Sequence, residues 1–162
     1  MKVLGFIAVF TLALIAIIVL VGQIGGLRGP APTDLGVLQG RLKAPSLLPN
    51  SVSSQADLHP GHPQQAYARI APLHFQGSPD EAMRRLVAVL QAQPRTVLVH
   101  QTFDYVYAQR QSAVLKFTDD VEFWLDHSSG VIQVRSASRL GRSDLGVNRD
   151  RIETIRAQFE KN

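Results

Sequence analysis

The chain contains no cysteine, which excludes a disulfide framework, a thiol nucleophile and a cysteine-ligated zinc site. Charged residues are also few, at 19% of 162 residues, and the formal net charge is only +4. A balance that small gives no reason to expect a nucleic-acid partner. Hydrophobic residues make up 45%, so the composition excludes a disordered chain, and the length suits one domain of ordinary size.

The motifs that serve nucleophilic catalysis and nucleotide binding are missing as well. The sequence has no G-x-S-x-G or S-x-x-K motif to supply an activated serine, and no G-x-G-x-x-G or Walker-type loop to hold a phosphate. His59 and His62 flank a Pro-Gly pair, which is typical of an exposed loop, and the other histidines lack ligand spacing such as H-E-x-x-H. We therefore expect neither a metal site nor a cofactor.

A long apolar run lies near the N-terminus, at residues 3–22, and Thr11 is the one polar residue in it. About 20 residues of helix span the roughly 30 Å hydrocarbon core of a bilayer. The apolar region of a signal peptide is usually about 7–15 residues long, and residues 21–26 make a poor cleavage site. We predict a single transmembrane helix that acts as an uncleaved signal anchor over residues 1–24, with a cleaved signal peptide as the alternative.

The charges that flank this run are Lys2 on one side and Arg28, Arg41 and Lys43, against Asp34, on the other. They nearly balance, so the positive-inside rule gives little preference for either orientation. A short N-terminal tail ahead of a long domain is typical of a signal anchor that exports its domain. We therefore place the domain on the extracytoplasmic side of the membrane.

Residues 25–65 are rich in Gly, Pro and Ser and show no sustained periodicity. They are interpreted as a linker and an extended segment, which Leu47, Leu48 and Val52 are apolar enough to dock on a folded domain. Residues 66–162 are then the globular domain.

Within that domain the pattern predicts an α+β fold of two layers, a four-stranded antiparallel sheet with two helices on one face. Ser78 to Glu81 form a capping box that opens the first helix, and Pro94 ends it. Asn148 is predicted to cap the second helix. The predicted strands are 96–101, 105–109, 113–117 running on into 121–125, and 131–136.

The last two strands allow a prediction of register. A loop at 127–130 places Phe123 opposite Val134 on the buried face and Glu122 opposite Arg135 on the other face. A slip by one residue would pair apolar with polar side chains throughout, so the pattern selects this register.

The densest carboxylates are Asp119, Asp120 and Glu122. Paired carboxylates could perform general acid–base chemistry or bind a cation. A cross-strand ion pair between Glu122 and Arg135 explains part of the cluster without any chemistry. We favour the structural interpretation.

Arginines, hydroxyls and glycines converge between Arg135 and Arg151. Guanidinium groups, hydroxyls and the free N–H groups of a helix start together suit a phosphate or carboxylate. The alternative is a structural loop in which Asp144 and Asp150 neutralise the arginines. The candidate anion-binding residues are Arg135, Ser136, Ser138, Arg139, Arg142, Asn148 and Arg149.

Three stretches carry a family resemblance: PNSVSSQA at 49–56, FTDDVEFWLD at 117–126 and VRSASRLGRSDLGVNRDRIETIR at 134–156. They resemble the DUF1499 family, a domain of unknown function found in bacteria and plastids, over roughly residues 35–159. The resemblance implies the fold and a location in an envelope or organelle, and it implies no activity. For this chain we expect a single span in the bacterial cytoplasmic (inner) membrane. Members often carry cysteine in a PNCVSS segment, where this chain has Ser51, so a thiol role cannot apply here.

These observations favour a membrane-tethered, non-enzymatic domain that binds an anionic or amphiphilic ligand, such as an anionic lipid, or an envelope protein. The alternative is a small enzyme that uses Asp119, Asp120 or Glu122 with Arg135. A purely structural role is a third interpretation. A carboxylate free of arginine in a concave pocket would favour the enzyme, and an ion-paired surface would favour binding or scaffolding.

Overall fold

The computed structural model describes residues 2–161. These residues fold as α+β, with four α-helices, a 3-10 turn at Ala56–Leu58 and an antiparallel sheet. The helices are α1 (Lys2–Gln23), α2 (Gln65–Ala68), α3 (Pro79–Ala92) and α4 (Val147–Phe159). The strands are β1 (Ser51–Ser53), β2 (Leu73–His74), β3 (Thr96–Gln101), β4 (Tyr105–Gln111), β5 (Thr118–Asp126) and β6 (Val131–Ser138).

The sheet runs over five strands in the order β1-β6-β5-β4-β3, and the two-residue β2 pairs with the other half of β6. The prediction of four strands is therefore wrong, because β6 has a free edge on which β1 and β2 pair. Both added strands are too short to show a period of two in the sequence. The predicted helix count also misses α2, which is a single turn.

The predicted register of the β5–β6 hairpin is confirmed. Phe123 lies opposite Val134, and Glu122 lies opposite Arg135. Phe123 and Val134 are fully buried in the core, which also takes the apolar faces of α3 and α4. Full burial of one large apolar side chain stabilises the fold by about 1.5–3 kcal/mol, so a register slip would be costly.

Residues 113–117 are not a strand, contrary to the prediction, and β5 begins only at Thr118. The Ser112 N–H donates to the Phe117 carbonyl at 2.9 Å, and the Ser112 Oγ accepts from the Phe117 N–H at 3.0 Å. These two bonds close a loop in which Lys116 has a φ of 58°. A residue in the left-handed conformation interrupts a regular strand, so residues 113–117 form part of the loop between β4 and β5.

The sequence predicts the N-terminal end of α3 correctly but not that of α4. The Ser78 cap of α3 is confirmed, because its Oγ accepts from the Glu81 N–H at 3.2 Å. The predicted Asn148 cap of α4 is wrong. Gly146, with a φ of 87°, precedes the helix, and Asn148 lies fully buried inside the first turn.

The sheet face opposite α3 and α4 is covered too, by the extended chain between residues 30 and 46. The Gly36 N–H reaches across to the Glu122 carboxylate at 2.9 Å, and Leu42 is buried. Leu42 is held by its N–H, which donates to Gln55 Oε1 at 2.8 Å. This third layer explains why charged side chains on the outer face of β5 and β6 are buried.

Helix α1 is long and apolar enough to cross a membrane, by its length and composition. Gly22 is its one buried residue among those described, and the rest of the helix is largely exposed. Its end is fixed to the β4–β5 loop, because Gln23 Nε2 donates to the Val114 carbonyl at 2.8 Å. A Cβ at Gly22 would lie 2.5 Å from the Leu115 carbonyl oxygen, so glycine is required for this approach.

Candidate functional site

The three clustered carboxylates of β5 each pair with an arginine that follows in sequence. Glu122 pairs with Arg135 at 3.1 Å, and Asp120 pairs with Arg139 at 2.7 Å. Asp119 pairs with Arg151 of α4. The predicted acidic cluster is therefore bound by arginines, two of which belong to the predicted anion-binding set.

Strand alternation decides how these pairs are distributed. Asp120 and Glu122 project from the outer face of β5, whereas Asp119 shares the face of the core residue Val121. Arg135 is directly opposite Glu122, and Arg139 lies just after β6, where it reaches Asp120. The outer pairs therefore lie under the extended chain, and the Asp119 pair lies under α4.

The Glu122 carboxylate is fully buried and accepts three hydrogen bonds. Oε2 accepts from Arg135 Nη1 at 3.1 Å, and Oε1 accepts from the Tyr105 hydroxyl at 2.8 Å and the Gly36 N–H at 2.9 Å. Burial, followed by the Glu122 charge, raises the pKa of Tyr105 far above its usual range. A buried charge is tolerated only when it is paired and hydrogen-bonded, and Glu122 meets both conditions.

Asp120 forms a two-point contact with Arg139. Arg139 Nη2 donates to Oδ1 at 2.7 Å, and Arg139 Nε donates to Oδ2 at 2.9 Å. The Tyr107 hydroxyl also donates to Oδ1, at 2.6 Å. The hydrogen bond to Asp120 raises the pKa of Arg139, and burial, then the bond to Asp120, raises the pKa of Tyr107. The geometry is that of a bidentate guanidinium–carboxylate pair.

Asn148 connects α4 to the sheet. Its Oδ1 accepts from the Ser136 hydroxyl at 2.6 Å and from Arg151 Nη1 at 2.5 Å. Its Nδ2 lies 2.9 Å from Ser138 Oγ and 3.1 Å from the Asn50 carbonyl. Every polar atom of this buried amide is used within the protein, so it is a hub of the fold rather than an open ligand contact.

The N–H groups at the start of α4 bind a carboxylate of the chain itself. Asp144 Oδ1 accepts from the Gly146 N–H, and Oδ2 accepts from the Asn148 N–H, both at 3.1 Å. Burial would raise the pKa of Asp144, but hydrogen bonds from Tyr67 and Asn148 outweigh it and lower that pKa. These two N–H groups are thereby satisfied internally, and the Asp144 charge lies at the positive end of the helix dipole.

Two further arginines of the predicted set lie apart from the ion pairs. Arg149 Nη2 donates to the Tyr67 carbonyl at 2.6 Å, and Arg142 is exposed in the loop before α4. Asp150, expected as a partner for the arginines, is exposed. The predicted anion-binding residues are thus distributed over a buried hub, an exposed loop and one cavity wall.

That cavity lies between the extended chain and β6 and has a volume of about 540 Å³. Of the predicted residues, Arg135, Ser138 and Arg139 line it. Sequence reasoning missed Lys43 and Asp34 on the facing wall, which form an ion pair at 2.6 Å. They lie in a segment without periodicity, so the sequence carries no signal that would bring them to β6. The outer-face tyrosines of β4 could have been found from strand alternation.

Arg135 lines this cavity and has an unused donor. Its side chain is 6% exposed, and its Nε is buried without a hydrogen-bond acceptor among residues 2–161. An unpaired buried donor costs about 1–3 kcal/mol. A ligand oxygen that reached this Nε would recover that cost.

No group of three or more His, Cys, Asp or Glu side chains arranged to hold a metal ion occurs within the described chain, residues 2–161. The rings of His59 and His62 lie 6.5 Å apart, edge to face. These histidines therefore contact each other in their loop.

The molecule is an α+β domain with a covered sheet, buried acid–arginine pairs and an apolar N-terminal helix. A sequence model of the family described as "Protein of unknown function (DUF1499)" matches residues 41–159, and the chain belongs to this family. The match includes Lys43 and all of β1 to β6, and it begins after residues 30–34, which form part of the cavity wall. No curated protein matches the chain, and no solved structure matches it.

Proposed function

We propose that this protein is a non-enzymatic binding domain held at the bacterial cytoplasmic membrane by α1, and that it binds the anionic group of an amphiphilic ligand in the cavity beside β6. The carrying observation is that Arg135 lines this cavity and that its buried Nε has no hydrogen-bond acceptor among residues 2–161. A phosphodiester or carboxylate oxygen is the chemistry that such a guanidinium donor takes.

The charges around the cavity favour a singly charged or zwitterionic group. Lys43, Arg135 and Arg139 supply three cations, and their acidic partners are Asp34, Glu122 and Asp120. Because each cation is already paired, a polyanion would also meet the carboxylates of Asp34 and Asp120 on the cavity wall. A single anionic oxygen would instead accept hydrogen bonds from the N–H donors that these ion pairs do not use.

The same pairing disfavours the alternative of a small enzyme. Asp119, Asp120 and Glu122 each bind an arginine, and general acid–base catalysis needs a carboxyl group that can exchange its proton. The enzyme interpretation requires a carboxylate that is free of arginine, and none of these three is. These contacts support binding, with an envelope protein as the other class of partner.

The membrane anchor is supported by a 22-residue apolar helix whose sides contact little of the domain. We place the domain on the extracytoplasmic side of that membrane. Because the chain lacks cysteine, Phe103→Cys gives a unique thiol on an exposed turn far from α1. Labelling of that thiol in intact cells by a membrane-impermeant maleimide is expected; labelling only after lysis would place the domain in the cytoplasm.

Ligand binding is tested with the full chain in detergent, using short-chain phosphatidylglycerol, a carboxylate detergent and inorganic phosphate as probes. We expect phosphatidylglycerol to bind in calorimetry, Lys43→Gln to weaken binding and Asp34→Asn to strengthen it, because Asp34 competes for Lys43. Lys161→Gln, at the far end of α4, is the matched control and leaves affinity unchanged. No heat with any of the three probes would contradict the proposal.

A further inference from the structure

The end of the domain that meets α1 is built from three pieces of chain. They are the β4–β5 loop (112–117), the loop before α4 (139–146) and the turn at 47–50, which together we name the anchor end. The turn and the α4 loop are joined, because Asn50 Nδ2 donates to the Gly141 carbonyl at 2.8 Å and the Asp144 N–H donates to the Pro49 carbonyl at 3.2 Å.

The anchor end is held close to α1 at two points. Gly22 packs on the backbone of Leu115, and Gly29 lies against the side chains of Arg139 and Leu140, where a Cβ would come within 2.9 Å and 3.0 Å. Six residues lie between the two glycines, so the connection is short. If α1 crosses a bilayer, the anchor end must lie against the bilayer surface.

This end exposes large apolar side chains that the core does not use. Leu145 is 90% exposed, and Val114 and Leu47 are 57% and 71% exposed. Leu145 also has a φ of 52°, a left-handed conformation that leucine rarely adopts. Val147 and Leu140 extend the same apolar surface. A strained and almost fully exposed leucine contributes nothing to the folded core.

Cations also occur at the anchor end. Lys116 and Arg142 are half-exposed and exposed within it, next to the half-exposed Asp144, and Arg28 and Arg95 are exposed in adjoining segments, with Asp150 as an exposed acid. The opposite end carries both signs, because Asp80, Glu81 and Glu160 are exposed there and so is Lys161. Apolar side chains bordered by cations suit the headgroup region of an anionic bilayer.

We propose that the anchor end is a membrane-interface surface, in which Leu145, Val114 and Leu47 enter the boundary between headgroups and acyl chains while Arg142 and Lys116 bind lipid phosphates. This inference rests on the proposed function, since it requires α1 to span the bilayer. The occupant is the surface of the bilayer that holds α1, because the contacts of Gly22 and Gly29 hold the anchor end next to the end of α1.

The test uses the absence of cysteine. Single variants Leu145→Cys, Phe103→Cys and Phe10→Cys of the full chain carry an environment-sensitive fluorophore in vesicles of phosphatidylglycerol and phosphatidylcholine. Phe103 is 75% exposed at the opposite end of the sheet and is the matched control for Leu145, and Phe10 reports on α1 itself. Quenching by lipids that carry a nitroxide at a shallow or a deep position measures depth.

We expect shallow quenching at 145 that is several times the quenching at 103, and deep quenching at 10. Equal, weak quenching at 145 and 103 together with deep quenching at 10 would overturn the interface surface and leave the anchor standing. An unquenched label at 10 would instead refute the anchor, so the two failures are distinguishable. Adding Arg142→Gln to the Leu145→Cys variant is expected to reduce quenching in vesicles that contain phosphatidylglycerol, and no reduction would overturn the role of the cation.

Discussion

Glu122 and Arg135 face each other across the β5–β6 hairpin, and their side chains are 0% and 6% exposed. Removing either residue leaves the other as a buried charge that has lost its ion-pair partner. The pair therefore constrains both the register of the hairpin and the layer of chain that covers it.

The pair predicts strong non-additivity. Arg135→Ala or Glu122→Ala alone is expected to lower the free energy of unfolding by about 3–5 kcal/mol, because each leaves one uncompensated buried charge. The double variant should lose much less than the sum, which urea denaturation of all four proteins measures. Arg69→Ala, at an exposed ion pair with Asp57, is the control and should show no measurable change. Strict additivity for Glu122 and Arg135 would contradict the role assigned to the pair.

A second prediction concerns acid stability. Burial would raise the pKa of Asp126, but hydrogen bonds from Ser128, Ser129 and Gln133 outweigh it and lower that pKa from 3.8 to about 2. Because the folded-state pKa is depressed, the stabilisation is present above pH 3.8 and is lost as the pH falls toward 2. Asp126→Asn should remove this part of the pH dependence of unfolding. Parallel pH profiles for the variant and the wild type would refute the prediction.

Two residues of the predicted anion site, Asn148 and Arg142, are expected to differ in how much they stabilise the fold. Asn148 is buried, and Arg142 is exposed. Asn148→Ala should destabilise the domain by about 1–3 kcal/mol for each buried partner left unpaired, because it strips acceptors and donors from Ser136 and Ser138. Arg142→Ala should change stability by less than about 0.5 kcal/mol, as is usual for an exposed side chain. Thermal unfolding of both variants checks the contrast. A tolerated Asn148→Ala would show that the hub contributes little.

Removal of residues 1–24 should convert a protein that sediments with membranes into a soluble domain that unfolds cooperatively. The apolar core contains residues from Val52 to Phe159 and none from α1. The measurements are sedimentation and urea denaturation of the truncated chain. Aggregation without a cooperative transition would mean that α1 belongs to the domain.

The sequence predicted those parts of the fold in which local pattern and burial agree. The hairpin register followed from alternation between Phe123 and Glu122, and the α3 cap followed from Ser78 and Glu81. Residues 113–117 look like a strand because Val114 and Phe117 are apolar, but their contacts are with the anchor and the loop. No local period describes such long-range contacts.

The candidate site was predicted only in part for a related reason. Glu122 and Arg135 are neighbours by register, so their pairing can be read from the strands. The contact between Asp119 and Arg151 depends on how α4 lies on the sheet, and Lys43 reaches the cavity through a segment with no periodicity. Asn148 has the residue type of a cap, yet the helix already begins at Val147, and the N–H of Asn148 is itself bound by Asp144.

The outer layer of the sheet is the same piece of chain that leaves α1. Tension on the helix would therefore pass first through the contact of Gln23 with Val114, then through Gly29, which accepts from Arg139 Nη1 at 3.5 Å, and into residues 30–46. Detachment of residues 30–46 from the sheet would remove the Gly36 N–H from Glu122 and open the cavity wall. The apolar core beneath α3 and α4 would remain packed. Mechanical load from the membrane thus acts on the cavity before it acts on the apolar core.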